Sequence, residues 1–232
     1  MTEPLLTQVE CVSDTATIRA CLARPDVSAP APAIVILHEW WGLNAHIQDI
    51  AARFARAGYV AIAPNLYSRA SYTVTTDPNE AATLMNALSS QAVLRDLNAT
   101  APFVSAQPFV DPQRLGLIGF CMGGTFTLTQ ATHNSAFKSA VAFYGKVPPL
   151  ETLNRLLCPV LYHYGAKDPW VTRQEVDRLK EGLTKYKKPG EVCIYEEANH
   201  AFFNDTRPEV YRAAEAQEAW TRTLAFLTRH LR

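Results

Sequence analysis

The apolar run Leu115-Gly116-Leu117-Ile118 leads into Gly119-Phe120-Cys121-Met122-Gly123-Gly124 and then directly into a segment of helical character. A strand that ends on Gly-x-Cys-x-Gly before a helix constrains the fold more than any other feature of the chain. The turn it implies is so sharp that its apex residue must take a strained backbone conformation, and glycines two before and two after remove the side chains that would collide. Gly119 and Gly123 stand at those two places. Such a turn lifts the apex side chain above the sheet and aims the first amides of the following helix at it, which favours negative charge there. The spacing predicts a nucleophile elbow carrying the Cys121 thiol.

With 232 residues the chain has the length of one sizeable α/β domain, and a single domain over 1–232 is expected. Apolar runs alternate with helical-period segments, the pattern of a mostly parallel sheet with helices on both faces. Strands are predicted at 16–23, 33–37, 60–63, 115–119, 140–144, 160–164 and 191–196. Helical spacing marks Ile47, Ile50, Ala51, Phe54 and Ala57, a continuous segment over 79–106, another over 172–186, and a last stripe through Ala213, Gln217, Trp220, Leu224, Leu227 and Leu231.

Lys plus Arg equals Asp plus Glu at 22 each, so no net field favours nucleic acid or an anionic membrane. The stretch Met1-Thr2-Glu3-Pro4-Leu5-Leu6 lacks the basic and apolar regions of a leader, and no membrane-spanning run follows, so a cytoplasmic protein is expected. Cys11, Cys21, Cys121, Cys158 and Cys193 are odd in number and without CxxC spacing, which reads as reduced thiols. His46, His133, His163 and His230 share no metal-ligand spacing, and no metal is expected.

Downstream of the elbow, the run Pro159 to Tyr164 is followed by Gly165-Ala166-Lys167-Asp168, which puts a carboxylate just past the carboxyl end of a strand, where open α/β sheets place their ligands. The next strand leads into Glu196-Glu197-Ala198-Asn199-His200. The order is nucleophile, acid, histidine, which is more specific than any one of the three residues. In that order the imidazole handles protons for acyl-enzyme steps, and Asp168 fixes its tautomer.

The segments His38-Glu39-Trp40-Trp41-Gly42-Leu43-Asn44, Pro64-Asn65-Leu66-Tyr67, the cysteine elbow, Gly165-Ala166-Lys167-Asp168 and Tyr195 to His200 occur in one order over nearly the whole chain. In that order and spacing the chain resembles the dienelactone hydrolase family of the α/β-hydrolase superfamily. The resemblance implies an α/β-hydrolase fold, a triad of Cys121, His200 and Asp168, and Glu39 as partner of the resting thiol. It also implies an oxyanion hole from the backbone amides of Trp40 and Met122. A thiol of pKa about 8.5 is only a few per cent thiolate near neutrality, and a permanently exposed thiolate invites oxidation. Cys121 is therefore expected to rest protonated beside Glu39 and to pair with His200 when an ester or lactone enters.

One departure bears on substrate. The resemblance would place arginines, as a clamp for a substrate carboxylate, four residues after the histidine and in the helical region beyond Tyr67. Position 204 is Asn204, the stretch 79–90 has no arginine, and Arg69, Arg95 and Arg207 are the cations left to consider. Trp40, Trp41, Tyr67, Tyr144, Trp170, Phe202 and Phe203 sit near the expected catalytic loops, so an aromatic, less anionic pocket is expected, although each residue alone is of a type more often used in packing.

Taken singly, Cys121 would be a small buried hydrophobe, Asp168 a turn residue or helix cap, His200 a loop histidine and Glu39 a solvated strand-end acid. Together they favour a hydrolase of a lactone or small carboxylic ester, acting on a small molecule as a monomer and without a dissociable cofactor. Thioester hydrolysis or acyl transfer is the alternative within the same chemistry, and a noncatalytic binding or sensing module is the alternative from another class.

Overall fold

The computed structural model describes residues 4–70 and 74–232; residues 1–3, part of the amino-terminal stretch read above, lie outside the described residues. Eight strands follow the hydrogen-bonded order β1-β2-β4-β3-β5-β6-β7-β8. They are β1 (Leu5–Ser13), β2 (Ala16–Arg24), β3 (Ala31–Leu37), β4 (Val60–Pro64), β5 (Val110–Phe120), β6 (Phe137–Phe143), β7 (Val160–Gly165) and β8 (Gly190–Tyr195). The helices are α1 (Ala45–Arg56), α2 (Pro78–Ala87), α3 (Ser90–Ser105), α4 (Met122–Gln130), α5 (Leu150–Leu153), α6 (Arg173–Lys185) and α7 (Ala213–Leu231). Contacts divide the chain into two units, Met1–Gly116 and Leu117–Arg232, and the division falls inside β5.

In the first unit β1 pairs antiparallel with β2 and β2 antiparallel with β4, whereas β3 and β4 run parallel. Every residue of β3 and β4 is buried, as the unbroken apolar runs predict for parallel strands covered on both faces. Strand β1 was not expected from the sequence. It lies at the sheet edge, and its residues are mostly exposed, so it lacks the clean alternation that marks a half-buried strand. The helical segment over 79–106 is two helices: Leu88 takes an extended conformation and the Ser89 side chain caps the Ala92 amide to start α3.

In the second unit β6, β7 and β8 run parallel. Successive side chains of β7 point to opposite faces. Tyr162 and Tyr164 join Leu128 of α4, Leu153 of α5 and Val176 and Leu179 of α6 in one core. His163 faces the other way, where its Nε2 meets Thr223 Oγ1 of α7 at 3.1 Å. The buried face of α7 is Ala216, Ala219, Thr223, Phe226, Leu227 and Leu231. The expected stripe was rotated from this: Ala213 and Gln217 are exposed, and Trp220 and Leu224 only half-buried. Small Ala216 and Ala219 let the helix approach the sheet, a choice that ranking residues by hydrophobicity does not reveal.

Helix α6 begins with a capping box in which the Thr172 hydroxyl and the Glu175 carboxylate satisfy each other's backbone amides. This cap follows the Asp168 loop at once, so it also fixes where that loop ends. Thr172→Ala is expected to lower the free energy of unfolding by about 1 kcal/mol, read as a lower urea midpoint at unchanged slope.

Candidate active site

The elbow has the geometry its glycines predict. Cys121 follows β5 with φ 55° and ψ −117° and sits immediately before α4. A non-glycine residue held there stores on the order of 1–3 kcal/mol of strain. The surroundings enforce it: the Cys121 amide donates to the Phe143 carbonyl at 3.0 Å, and the Cys121 carbonyl accepts from the Thr125 amide at 3.1 Å. A Cβ on Gly119 would lie 2.2 Å from the Gly123 carbonyl oxygen, and one on Gly124 would lie 2.6 Å from the Phe143 carbonyl oxygen. The first turn of α4 is thus seated directly against the end of β6. Met122 is the first residue of that helix.

Asp168 lies beyond β7 with no exposed side-chain surface. Its Oδ1 accepts the amides of Trp170 at 2.7 Å and Val171 at 3.0 Å. Its Oδ2 is left for His200, whose Nδ1–H donates to it at 2.7 Å. With Nδ1 committed, Nε2 is the ring nitrogen available to the Cys121 thiol, with which His200 also hydrogen-bonds. The structure therefore brings Cys121, His200 and Asp168 together.

Electrostatics follow from this geometry. Burial works against a charge on His200, but the hydrogen bonds to Asp168 and Cys121 and the negative charge each can carry outweigh it, and raise the imidazolium from 6.5 to about 10. Two fully buried histidines, His163 and His38, behave oppositely. His163, between Tyr195 Oη and Thr223 Oγ1, is pushed down to about 3 by burial. His38 is pushed down to about 4, also chiefly by burial, and stays neutral. Among the described residues no cluster of three or more His, Cys, Asp or Glu could hold a metal ion.

What draws Asp168 to His200 is a close approach of two loops that sequence reasoning did not foresee. The Ala166 amide donates to the Tyr195 carbonyl and the Lys167 amide to the Ala198 carbonyl, each at 2.9 Å. A Cβ on Gly165 would lie 2.6 Å from the carbonyl oxygens of both Ala198 and Asn199. Lys167 and Glu197 pair across the same two loops. The glycine before the acid was the available signal.

In the first unit, Glu39 is buried just past β3. His38 accepts the Leu66 amide on Nε2 at 2.9 Å, so its Nδ1–H donates to the Glu39 carbonyl, at 2.5 Å. The Gly42 amide donates to the same carbonyl, and Tyr67 Oη donates to the Trp40 carbonyl at 2.9 Å. The strand-end turn carrying Glu39 and Trp40 is thereby fixed by buried groups. Trp41 packs edge-on against Trp40 and is half-buried.

Of the candidate substrate contacts, Tyr67, Tyr144, Phe202 and Phe203 are buried. Tyr67 is turned to the Trp40 carbonyl, and Phe202 and Phe203 pack with Phe143. These three side chains are packed inside the protein. Tyr144, at φ 39°, presses its ring to within 5.0 Å of the His200 ring centre and forms its inner wall. Trp170 is 55% exposed, with its ring centre 6.3 Å from that of His200.

A profile of the dienelactone hydrolase family matches residues 18–231. The chain belongs to this family. Membership makes it a carboxylic ester hydrolase by class, on the α/β-hydrolase fold. It is 33% identical, over 91% of its length and 89% of the relative's, to a Bradyrhizobium protein provisionally named 2-oxo-3-(5-oxofuran-2-ylidene)propanoate lactonase. It is 35% identical, over 90% of its length and 81% of the relative's, to an Escherichia coli K12 protein provisionally named carboxymethylenebutenolidase. A crystal structure of a provisional dienelactone hydrolase from Klebsiella pneumoniae superposes with a TM-score of 0.91 at 32% identity, covering 98% of this chain and 99% of that one.

Within this dienelactone hydrolase frame, the residues weighed as a carboxylate clamp are engaged elsewhere. Asn204 is buried, and its Oδ1 accepts the Thr206 amide at 3.1 Å and hydroxyl at 2.7 Å. Arg69 pairs with Asp96, Arg95 with Asp14 and Arg207 with Glu209.

The raised pKa of His200 has a stability consequence with a definite sign. A group whose folded pKa lies above its unfolded value of about 6.5 stabilises fully below that pH and loses the contribution as pH rises through the folded pKa. The gap in unfolding free energy between the wild type and His200→Ala is therefore expected to be largest at or below pH 6.5 and to narrow toward pH 10. Only the lost packing should remain there. A gap independent of pH across that window would contradict the assignment. Gly165→Ala, which forces the two loops apart, is expected to bring the His200 titration, followed by NMR, down toward 6.5.

Proposed function

We propose that this chain hydrolyses a lactone or a small carboxylic ester through a thioester acyl-enzyme, with Cys121 as nucleophile. The observation that carries the reading is His200 hydrogen-bonded on one side to Asp168 and on the other to a thiol at the apex of a strained elbow. An imidazolium beside the sulfur can pair with the attacking thiolate, and Asp168 keeps the ring in the one orientation that can reach it.

The cycle uses the two ring states in turn. The Cys121 thiolate attacks the carbonyl carbon, and the C–S bond forms. As the intermediate collapses, the C–O bond breaks and the departing oxygen takes the His200 proton. A water molecule then gives its proton to the neutral ring and attacks the thioester. The C–S bond breaks, the acid leaves, and the thiolate faces an imidazolium again.

Three further roles rest on the family resemblance. The amides of Trp40 and Met122 would bind the tetrahedral oxyanion, and Glu39 would be the partner of the thiol in the resting enzyme. The pairing of Arg69, Arg95 and Arg207 with carboxylates, together with the inward turn of Asn204, supports a substrate that is less anionic than those in the names of the relatives. A cytoplasmic, monomeric protein of one domain that needs no dissociable cofactor completes the proposal. Five unbridged cysteines suit a reducing compartment, and no described helix is long and apolar enough to cross a membrane.

Turnover of an activated ester and of neutral and carboxylated lactones by substituted proteins tests the mechanism. Cys121→Ala is expected to lose at least about a thousandfold in rate, and His200→Ala a comparable factor, because residues that act as a unit fail together. Undiminished hydrolysis by Cys121→Ala would falsify the thioester route.

A further inference from the structure

We infer that Trp170 is the platform on which the departing alcohol of the substrate rests, so that it selects planar aromatic or conjugated leaving groups. The inference rests on the hydrolase reading above and adds its leaving-group specificity. Trp170 is 55% exposed, and among the described residues of 117–232 the exposed large hydrophobics are Leu157 and Trp170. Only the second is aromatic, and it stands beside the ring that moves protons.

Its exposure is not that of a loose loop. The Trp170 amide is held by Asp168 Oδ1, Val171 is 1% exposed and held by the same oxygen, and Thr172 opens α6 through its capping box. A backbone fixed at three successive residues keeps an indole in water that a looser chain would fold away. The Trp170 ring centre lies 6.3 Å from that of His200, at 45°. His200 also meets Tyr144, which is fully buried, at a ring-centre distance of 5.0 Å. Of the two aromatic rings beside the imidazole, Tyr144 is closed off by packing and Trp170 is exposed.

The chemistry assigns the ligand part. In the acylation step the imidazolium proton goes to the departing oxygen, which must come within hydrogen-bond reach of the ring, about 3 Å. The group attached to that oxygen then lies beside His200, and of the two aromatic rings next to the imidazole the exposed one is the indole. Aromatic pairs add roughly 0.5–1.5 kcal/mol beyond area burial, or about 3- to 10-fold. With an ester the alcohol is gone once the C–O bond is broken, so Trp170 has no such part in deacylation; in a lactone the alcohol stays tethered to the acyl group.

Three esters sharing one acyl group separate these steps: phenyl acetate, 2-naphthyl acetate and 2,2,2-trifluoroethyl acetate. Trp170→Ala is expected to lower kcat/KM about 3- to 10-fold for the two aryl esters. It should leave the trifluoroethyl ester and the deacylation rate constant of the common acetyl-enzyme unchanged, and Trp170→Phe should recover most of the loss. An equal loss on all three esters, a slower deacylation or no loss at all would overturn the inference; the first two would mean that Trp170 acts through Asp168. Calorimetric binding of 2-naphthol to the Cys121→Ala protein, with and without Trp170→Ala, reads the platform without turnover. Removing the indole should weaken binding about 3- to 10-fold, and unchanged affinity overturns the proposal. Failure of the wild type to turn over any of the esters would instead sink the hydrolase reading, while the naphthol measurement still decides the platform.

Discussion

The site depends on a carboxylate that has no contact with water. Burying an ionised acid is costly unless donors replace its hydration shell. Asp168 meets that demand with a division of labour between its oxygens. Oδ1 takes two backbone amides from the residues that follow, which fixes the rotamer, and Oδ2 can then face only the imidazole. A carboxylate satisfied by solvent would orient nothing. The close approach at Gly165 is the structural condition for this arrangement, because any side chain there would meet the carbonyls just ahead of His200.

The sulfur and the imidazole are positioned from a shared source. The Phe143 carbonyl receives the Cys121 amide, and the next residue, Tyr144, forms the inner wall of His200. The end of β6 therefore sets the height of the elbow and the tilt of the ring at once. Gly124 and Gly145 extend this seat: a Cβ on Gly145 would lie 2.3 Å from the Gly124 carbonyl carbon. Strain at Cys121 and at Tyr144, both at positive φ, is concentrated where the two reactive atoms meet.

The sequence makes legible whatever periodicity or order controls. The covered strands β3, β4, β6 and β7 read as apolar runs because both their faces are buried, and the meeting of Cys121, Asp168 and His200 reads from chain order because strand succession fixes which loop ends sit side by side. Edge strand β1 escapes this because exposed residues carry no such pattern. The break before Ser89 depends on one extended residue, Leu88, inside a segment that otherwise suits a helix. Direction is the other blind spot: composition places Phe202, Phe203 and Tyr67 near the catalytic loops, but only packing shows them turned inward, with Trp170 left outside. Gly165 was visible as a turn residue, and its role as a spacer between loops was not, since that role belongs to a partner more than thirty residues away.

Asp168 also ties chemistry to recognition. The oxygen that holds the Trp170 amide belongs to the carboxylate that orients His200, so the exposed indole and the proton carrier move on one support. A change at residue 168 must disturb both, whereas a change of the Trp170 side chain leaves every hydrogen bond to the carboxylate in place, because those bonds use backbone amides. Backbone anchoring means that the side chain at 170 can change without altering the hydrogen bonds that orient the His200 ring. On the proposed mechanism, specificity for the departing group could therefore change while the Cys121, His200 and Asp168 geometry is kept.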